Sequence, residues 1–231
     1  MNVNFPGLQF YVNKLHNDER FSFIRYGNGE WDCILGTRTC TGSGSQRLDI
    51  LALRNGLKAS ILEPKNDRYY RAIQNLPYLS RLELLPQIEI WLKQNKAQNL
   101  QWYFGDVFHR ANGARQLAPL VEQLWKRPVV IVGPKWLGKL PFAKTLIEVI
   151  PKDCWQNVGA IEERLWTIPT GTIISFSAGP MTKVLIHRLF PILGDTCWLI
   201  DFGSVWDPYC GVLSRTYHRH MKNVSLATLR S

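Results

Sequence analysis

Near the amino terminus, the run Arg25-Tyr26-Gly27-Asn28-Gly29-Glu30 holds residue types suited to phosphate chemistry. The strand-like FSFIRY (21–26) stops at Gly27-Asn28-Gly29, and EWDCIL reads as the first turns of a helix. A strand that ends in Gly-x-Gly and opens a helix lets the backbone come close to a phosphate and aims helix N–H groups at it. Arg25 can add a charge-assisted contact to a diphosphate. Glu30 can bind a divalent cation or a sugar hydroxyl, or it can serve only as a favourable charge at a helix N-terminus. The run lacks the third glycine of the dinucleotide fingerprint.

Three later segments carry related signals. In VGPKWLGKL (132–140), Gly133, Gly138 and Lys139 fit the frame of a phosphate-binding P-loop after a buried strand, but Leu140 stands where a magnesium-binding Ser or Thr belongs. A looser role suits it better, with Gly133 permitting close approach and Lys135 or Lys139 meeting a phosphate. In SAGPMTKVL (177–185), Ser177-Ala178-Gly179 leaves a strand and Pro180 sits at the expected start of a helix. That places a second helix N-terminus at a strand's carboxyl end, suited to a uridine or phosphate group. In IDFGSVWDPYCG (200–211), Asp201 and Asp207 are carboxylates that can act as a general base on an acceptor hydroxyl or cap a helix.

Elements with two rhythms must position these residues. In the first half, Leu8, Tyr11, Val12 and Leu15 share one face of a helix within Phe5–Leu15. A helix is expected over Gln46–Leu62, weakened by Gly56, and two more over 67–95, interrupted near Pro77 and Pro86. In the second half, LQWYFG (100–105), PVVIVG (128–133), TIISFS (172–177) and CWLIDFG (197–203) read as strands, with helices through Leu124, over Phe142–Ile150 and over MTKVLIHRLF (181–190). Strands alternating with helices imply an α/β fold with a mostly parallel sheet. Ligands then bind at the carboxyl ends of strands, near a switch in strand order. That directs attention to the strand ends at Arg25–Gly29, Gly133, Ser177–Pro180 and Asp201–Gly203.

The order and content of these blocks resemble the GT-D glycosyltransferases, once catalogued as a domain of unknown function. FSFIRYGNGEWDCILG is similar to that family's opening of strand, Arg-Phe/Tyr-Gly-Asp-Gly-Glu and helix. VVIVGPKWLGKL, PKDCWQNVGA, SAGPMTKVL and IDFGSVWDPY extend the likeness over about residues 20 to 211. The resemblance implies a Rossmann-like fold of GT-D type and transfer of a sugar from a nucleoside diphosphate sugar, usually with a divalent metal, Mn or Mg. Together with the strand-end reading above, this puts the expected donor site on Arg25, Gly27, Asn28, Gly29, Gly133, Lys135, Ser177, Gly179 and Pro180, and catalysis on Glu30, Asp201 and Asp207. The family's Asp-x-Glu at the donor diphosphate corresponds to Asn28 and Glu30, the expected metal ligands. An Asn carbonyl can coordinate a hard cation but brings no charge. Asp32 points about 200° away from Glu30 on a helix, and Lys and Arg neighbours can neutralise a leaving diphosphate instead. The family's His after Asp-x-Gly is Ser204 here.

Composition bounds the rest. The 231 residues, 45% hydrophobic and 20% charged, suit one glycosyltransferase domain over 1–231 with a basic segment at 214–231, and they are far from a disordered composition. The five cysteines lack CxxC pairing, and the amino terminus lacks the basic start and apolar run of a secretion signal. No uncharged apolar run approaches the roughly 18 residues of a membrane span. The expectation is a soluble protein with reduced thiols in the cytoplasm, or in a host's cytoplasm if phage-encoded. Several of the nine tryptophans lie in polar stretches, where a flat ring can stack on a ligand or pack half-buried.

The net charge of +10 favours a polyanionic partner. The acceptor is therefore expected to be either a glycan or glycoprotein intermediate, or DNA carrying a hydroxymethylated pyrimidine as in phage DNA modification. Aromatic and basic residues interleave in WYFGDVFHR (102–110) and SRTYHRHMK (214–222), where they can stack on bases and meet phosphates. A P-loop-like nucleotide kinase and a non-enzymatic nucleic-acid-binding protein are the alternatives from other classes.

Overall fold

The computed structural model describes residues 1–41, 46–64, 66–74, 83–221 and 224–229. Among the described residues, eight strands form one sheet: β1 (Val3–Asn4), β2 (Ser22–Tyr26), β3 (Tyr69–Ile73), β4 (Trp102–Phe104), β5 (Val129–Gly133), β6 (Thr145–Glu148), β7 (Ile173–Phe176) and β8 (Trp198–Asp201). Their order is β1-β4-β3-β2-β8-β7-β5-β6, and every pairing within the sheet is parallel. Eight α-helices accompany them among the described residues: α1 (Leu8–His16), α2 (Asn28–Leu35), α3 (Leu51–Leu62), α4 (Leu84–Gln94), α5 (Val107–Gly113), α6 (Ala118–Trp125), α7 (Val158–Leu165) and α8 (Met181–Leu193).

The helices cover both faces. On one side Ile34 of α2, Leu53 and Leu57 of α3, Ile88 of α4, Ile161 of α7 and Val184 of α8 close a core over the sheet. On the other, Tyr11 of α1, Phe108 of α5 and Leu120 of α6 do the same, with Phe202, Trp206 and Tyr209 from the chain after β8. Strands covered on both faces are apolar at nearly every position, which is why β5 reads as an unbroken hydrophobic run and β7 and β8 are interrupted only by Ser175 and by Asp201 at the end of β8.

The expected α/β class holds, and four local expectations need correction. The stretch 67–95 contains strand β3 followed by a single described helix, α4; Pro77 lies outside the described residues. Tyr69-Tyr70-Arg71-Ala72-Ile73 is buried throughout and pairs with β2 along its whole length, so cross-strand packing outweighs a weak helical pattern. The helix expected over Phe142–Ile150 is β6, an edge strand paired to β5. Helix α3 begins at Leu51, because residues 46–50 run without helix and Arg47 bridges to Cys40. Pro86 lies inside α4, but in its first turn, where the backbone N–H has no helical partner to lose.

Four of the nine tryptophans depart from the ligand-stacking expectation, while Trp125 and Trp166 are exposed. Trp31, Trp102, Trp198 and Trp206 are fully buried in the core. Phe104 and Phe108 are buried too, which removes most of the WYFGDVFHR aromatics from any stacking surface. No disulfide forms among the cysteines, and Cys40 alone is exposed.

Candidate functional site

Strands β2 and β8 lie side by side at the middle of the sheet, and the chain leaves them towards opposite faces. After β2 it packs α2 into one core; after β8, Phe202 and Trp206 enter the other. Adjacent strands that diverge in this way open a crevice at their carboxyl ends, the usual ligand position in a doubly wound sheet. The ends of β2, β4, β7 and β8 each send a charged side chain to that place.

Lys183, in the first turn of α8, is the centre of the cluster. Its Nζ lies 2.9 Å from Glu30 Oε1, 2.9 Å from Asp201 Oδ2 and 3.2 Å from the Gly179 carbonyl oxygen. An ammonium has three N–H donors, so these three acceptors satisfy it completely. Lys183, Glu30 and Asp201 are 5%, 7% and 2% exposed, and charges so deep persist only when paired.

The carboxylates are held from their other sides as well. Glu30 Oε2 accepts the Gly27 N–H at 2.8 Å, closing the turn that starts α2. Asp201 Oδ1 accepts the Gly203 N–H at 3.0 Å, and its Oδ2 lies 3.4 Å from the Arg25 N–H. Arg25 in turn donates from Nε and Nη2 to Asp106 Oδ1, at 3.1 and 2.7 Å. Burial alone would hinder ionisation of Glu30, but the Lys183 ammonium and the Gly27 amide outweigh it and hold its carboxyl below the usual range. Burial likewise opposes the charge on Lys183, and Asp201 and Glu30 together raise its pKa instead.

His109 of α5 borders the same crevice. A Cβ on Gly203, whose φ is +55°, would stand 3.4 Å from His109 Nε2. Its Nδ1 is buried with no hydrogen-bond partner among the described residues, and its ring lies 5.7 Å from that of Tyr217. Burial, followed by the nearby Arg25 and Arg215 charges, pushes its pKa well below the ordinary histidine value, so the ring is neutral at pH 7.

No family model matches the chain, and no curated protein matches it in sequence. Solved structures do match. One is described as a new glycosyltransferase of the domain of unknown function 1792 from Streptococcus sanguinis. It aligns at TM-score 0.63 and 16% identity over 89% of this chain and 83% of its own. Another, described as a highly conserved domain of unknown function 1792 with a distinct glycosyltransferase fold, aligns at TM-score 0.62 and 17% identity over 90% of this chain and 79% of its own. The chain has the GT-D fold. The likeness at this identity is one of architecture.

Within the GT-D frame, the structure gathers Arg25, Gly27, Glu30, Gly179 and Asp201 around Lys183, with Asn28 and Gly29 opening α2 beside them. A Cβ on Gly27 would lie 2.9 Å from Gln74 Oε1 and 3.4 Å from Glu30 Oε2, so a side chain there would press on the Gln74 amide and the Glu30 carboxylate. Pro180 precedes α8 in helical conformation, and Ser177 keeps a buried Oγ without a hydrogen-bond partner among the described residues. Gly133 belongs to packing: a Cβ would stand 2.8 Å from Leu137 Cδ1 and 3.1 Å from Ser177 Cβ.

Other expected residues stand apart from this cluster. Lys135 and Lys139 are exposed on a 3-10 turn, Lys135–Lys139, and the chain then runs into β6. A P-loop needs a helix at that point, so the kinase frame has no structural counterpart. Asp207 accepts hydrogen bonds from Trp136 Nε1, at 2.9 Å, and from Ser214 Oγ, tying two loops together; burial raises its pKa despite them. Lys183, Asp106 and His109 carry much of the site, and the sequence reading did not single them out as site residues. A cation in the first turn of a helix opposes the helix field, and for Lys183 that misfit was the available signal.

Of the expected metal ligands, Asn28 and Glu30, Glu30 is already committed to other partners. Both Glu30 oxygens are engaged, one by the Gly27 amide and one by an ammonium that also holds Asp201. Among the described residues, no group of three or more His, Cys, Asp and Glu is arranged to hold a metal. No described helix is long and apolar enough to cross a membrane.

Proposed function

We propose that the chain transfers a sugar from a nucleoside diphosphate sugar, with a uridine diphosphate sugar as donor, to a hydroxyl group on a polyanionic acceptor. The observation that supports this reading most is the Glu30–Lys183–Asp201 cluster at the strand-order switch of a GT-D fold, with Arg25 and the start of α2 beside it. The diphosphate meets the first-turn amides of α2, which lack partners inside the helix, and the positive end of its dipole. Bond breaking leaves growing negative charge on the diphosphate. A fixed cation in a water-poor crevice, here Arg25, stabilises such charge without reorganising, while Lys183 holds Glu30 and Asp201 in place.

His109 is the base on the acceptor side. It is neutral and its Nδ1 makes no hydrogen bond among the described residues, and a diphosphate arriving nearby raises its proton affinity when a proton must be taken. Arg215, Arg219 and His220 are exposed, and Tyr217, between them in sequence, packs against His109. Cations next to the crevice suit an anionic acceptor. DNA with hydroxymethylated pyrimidines belongs to that class, as does an anionic glycan.

The test is a thermal-shift comparison of UDP, GDP, ADP and their sugar conjugates, followed by transfer assays on hydroxymethylated DNA and on glycan acceptors. UDP or a UDP-sugar is expected to raise the melting temperature. Glu30→Gln is expected to keep the fold by circular dichroism and lose about 100-fold in transfer, the scale of one oriented electrostatic contact. A response to ADP or ATP alone would favour a kinase. Salt-dependent DNA binding without any sugar-nucleotide response would favour a non-enzymatic nucleic-acid-binding protein.

A further inference from the structure

The misfit between Glu30 and a divalent cation has a specific origin. Lys183 Nζ lies between the Glu30 and Asp201 carboxylates, 2.9 Å from each, with the Gly179 carbonyl as third acceptor. Two carboxylate oxygens and a backbone carbonyl converging on one buried point are the donor set a hard cation takes. Here a lysine ammonium fills it. We propose that Lys183 is a built-in cation: its ammonium takes the place of a divalent metal between Glu30 and Asp201, and the chain binds and uses its donor without a metal ion at that point.

The surroundings agree. Lys183 comes from the first turn of α8, where the helix field disfavours a cation, so the two carboxylates must supply its stabilisation. Each carboxylate is further locked by a backbone amide, Gly27 for Glu30 and Gly203 for Asp201. The three groups therefore form a rigid unit of net charge −1, which Arg25 adjoins through its backbone. A divalent ion entering this unit would displace the ammonium or sit against it. Lys183 takes the metal's place only as counter-charge to the two carboxylates, and Arg25 is left as the cation for a departing diphosphate, a consequence that rests on the transferase reading.

The first experiment titrates manganese alone into the full chain, following free ion by electron paramagnetic resonance and stability by thermal shift, with UDP affinity measured before and after chelation. Wild type is expected to take up no manganese and to bind UDP equally well with and without chelator. Lys183→Ala, which empties the point between the carboxylates, is expected to take up one manganese per chain, at least about tenfold more tightly than wild type. Lys183→Met retains the apolar stem where truncation is not tolerated. A variant that folds only with manganese present counts as the gained site, and if neither variant folds, the wild-type titration decides. Manganese uptake by wild type, loss of UDP binding on chelation, or a folded variant with no gained site would each overturn the proposal. The titration uses no sugar nucleotide, so failure of the transferase reading leaves its outcome intact.

Discussion

Two histidines are held neutral inside the protein, and both record how its cations are placed. His218 is fully buried, accepts the Arg215 N–H on Nδ1 at 3.3 Å, and has a pKa pushed down to about 4 by burial and the Arg215 charge. His109 is driven down in the same way. A depressed histidine pKa means that the unfolded chain binds more protons than the native one below the ordinary value of 6.5. Stability from these groups is therefore complete above about pH 6.5 and falls as pH drops towards 4. Glu30 acts in a lower window: its carboxyl is depressed below 4.5, so its contribution survives until pH falls through that depressed value. Denaturant unfolding from pH 7 to 4.5 is expected to show declining stability, and His218→Gln should flatten the decline by up to about 1.4 kcal/mol per pH unit. A slope unchanged by replacing either histidine would mean that neither is neutral in the native state.

At the scale of elements, the site depends on how closely strands approach. A Cβ on Gly105 would lie 2.6 Å from both the carbonyl carbon and the carbonyl oxygen of Ile73, backbone atoms that cannot turn aside. That contact seats the end of β4 against β3 and so places Asp106 to hold the Arg25 guanidinium. Gly105→Ala is expected to cost about 1–3 kcal/mol, the range of overpacked positions, and to weaken UDP binding by loosening Arg25. Gly159→Ala, in α7 with nothing within 4 Å of the added methyl, is the control and should stabilise by about 0.4–1 kcal/mol. Calorimetry on both variants distinguishes a seating contact from a general intolerance of alanine. The same contacts explain what could be read from sequence. Strand ends at Arg25, Ser177 and Asp201 were legible because continuous apolar runs and Gly-containing turns are local signals. Gly56 weakened the expected α3 helix, yet it marks where α3 meets α8: a Cβ would be 2.8 Å from Val184 Cγ1. Strands β3 and β6 were hidden because their few apolar residues satisfy either period until a neighbouring strand selects one. The Arg25–Asp106 pair spans 81 positions, and the Lys183 cluster joins β2, β7 and β8; no local pattern announces which distant residues will meet.

For the molecule as a whole, the net charge of +10 matters through where it is exposed. The inner cations are spoken for: Lys183 is neutralised by Glu30 and Asp201, and Arg25 by Asp106. Long-range attraction must then come from surface groups, and in the carboxyl-terminal segment these are Arg215 and Arg219, while Lys222 and Arg230 lie outside the described residues. Tyr217 ties this segment to the crevice through His109 and lies 3.4 Å from Ser204 Oγ. A polyanion drawn to Arg215 and Arg219 is thereby brought to the side of the crevice where His109 stands. Binding to a DNA duplex is expected to weaken with salt, because each phosphate neutralised releases condensed counterions. The double variant Arg215→Ser, Arg219→Ser should reduce the slope of log affinity against log salt by about 2, close to one per arginine. UDP affinity in that variant should be unchanged if, as proposed, the donor sits on the first turn of α2. Loss of the salt slope with UDP binding intact would separate an acceptor surface from the donor site. An unaltered slope would move the acceptor surface elsewhere, and equal losses of both would mean that the segment supports the crevice as structure and recruits nothing.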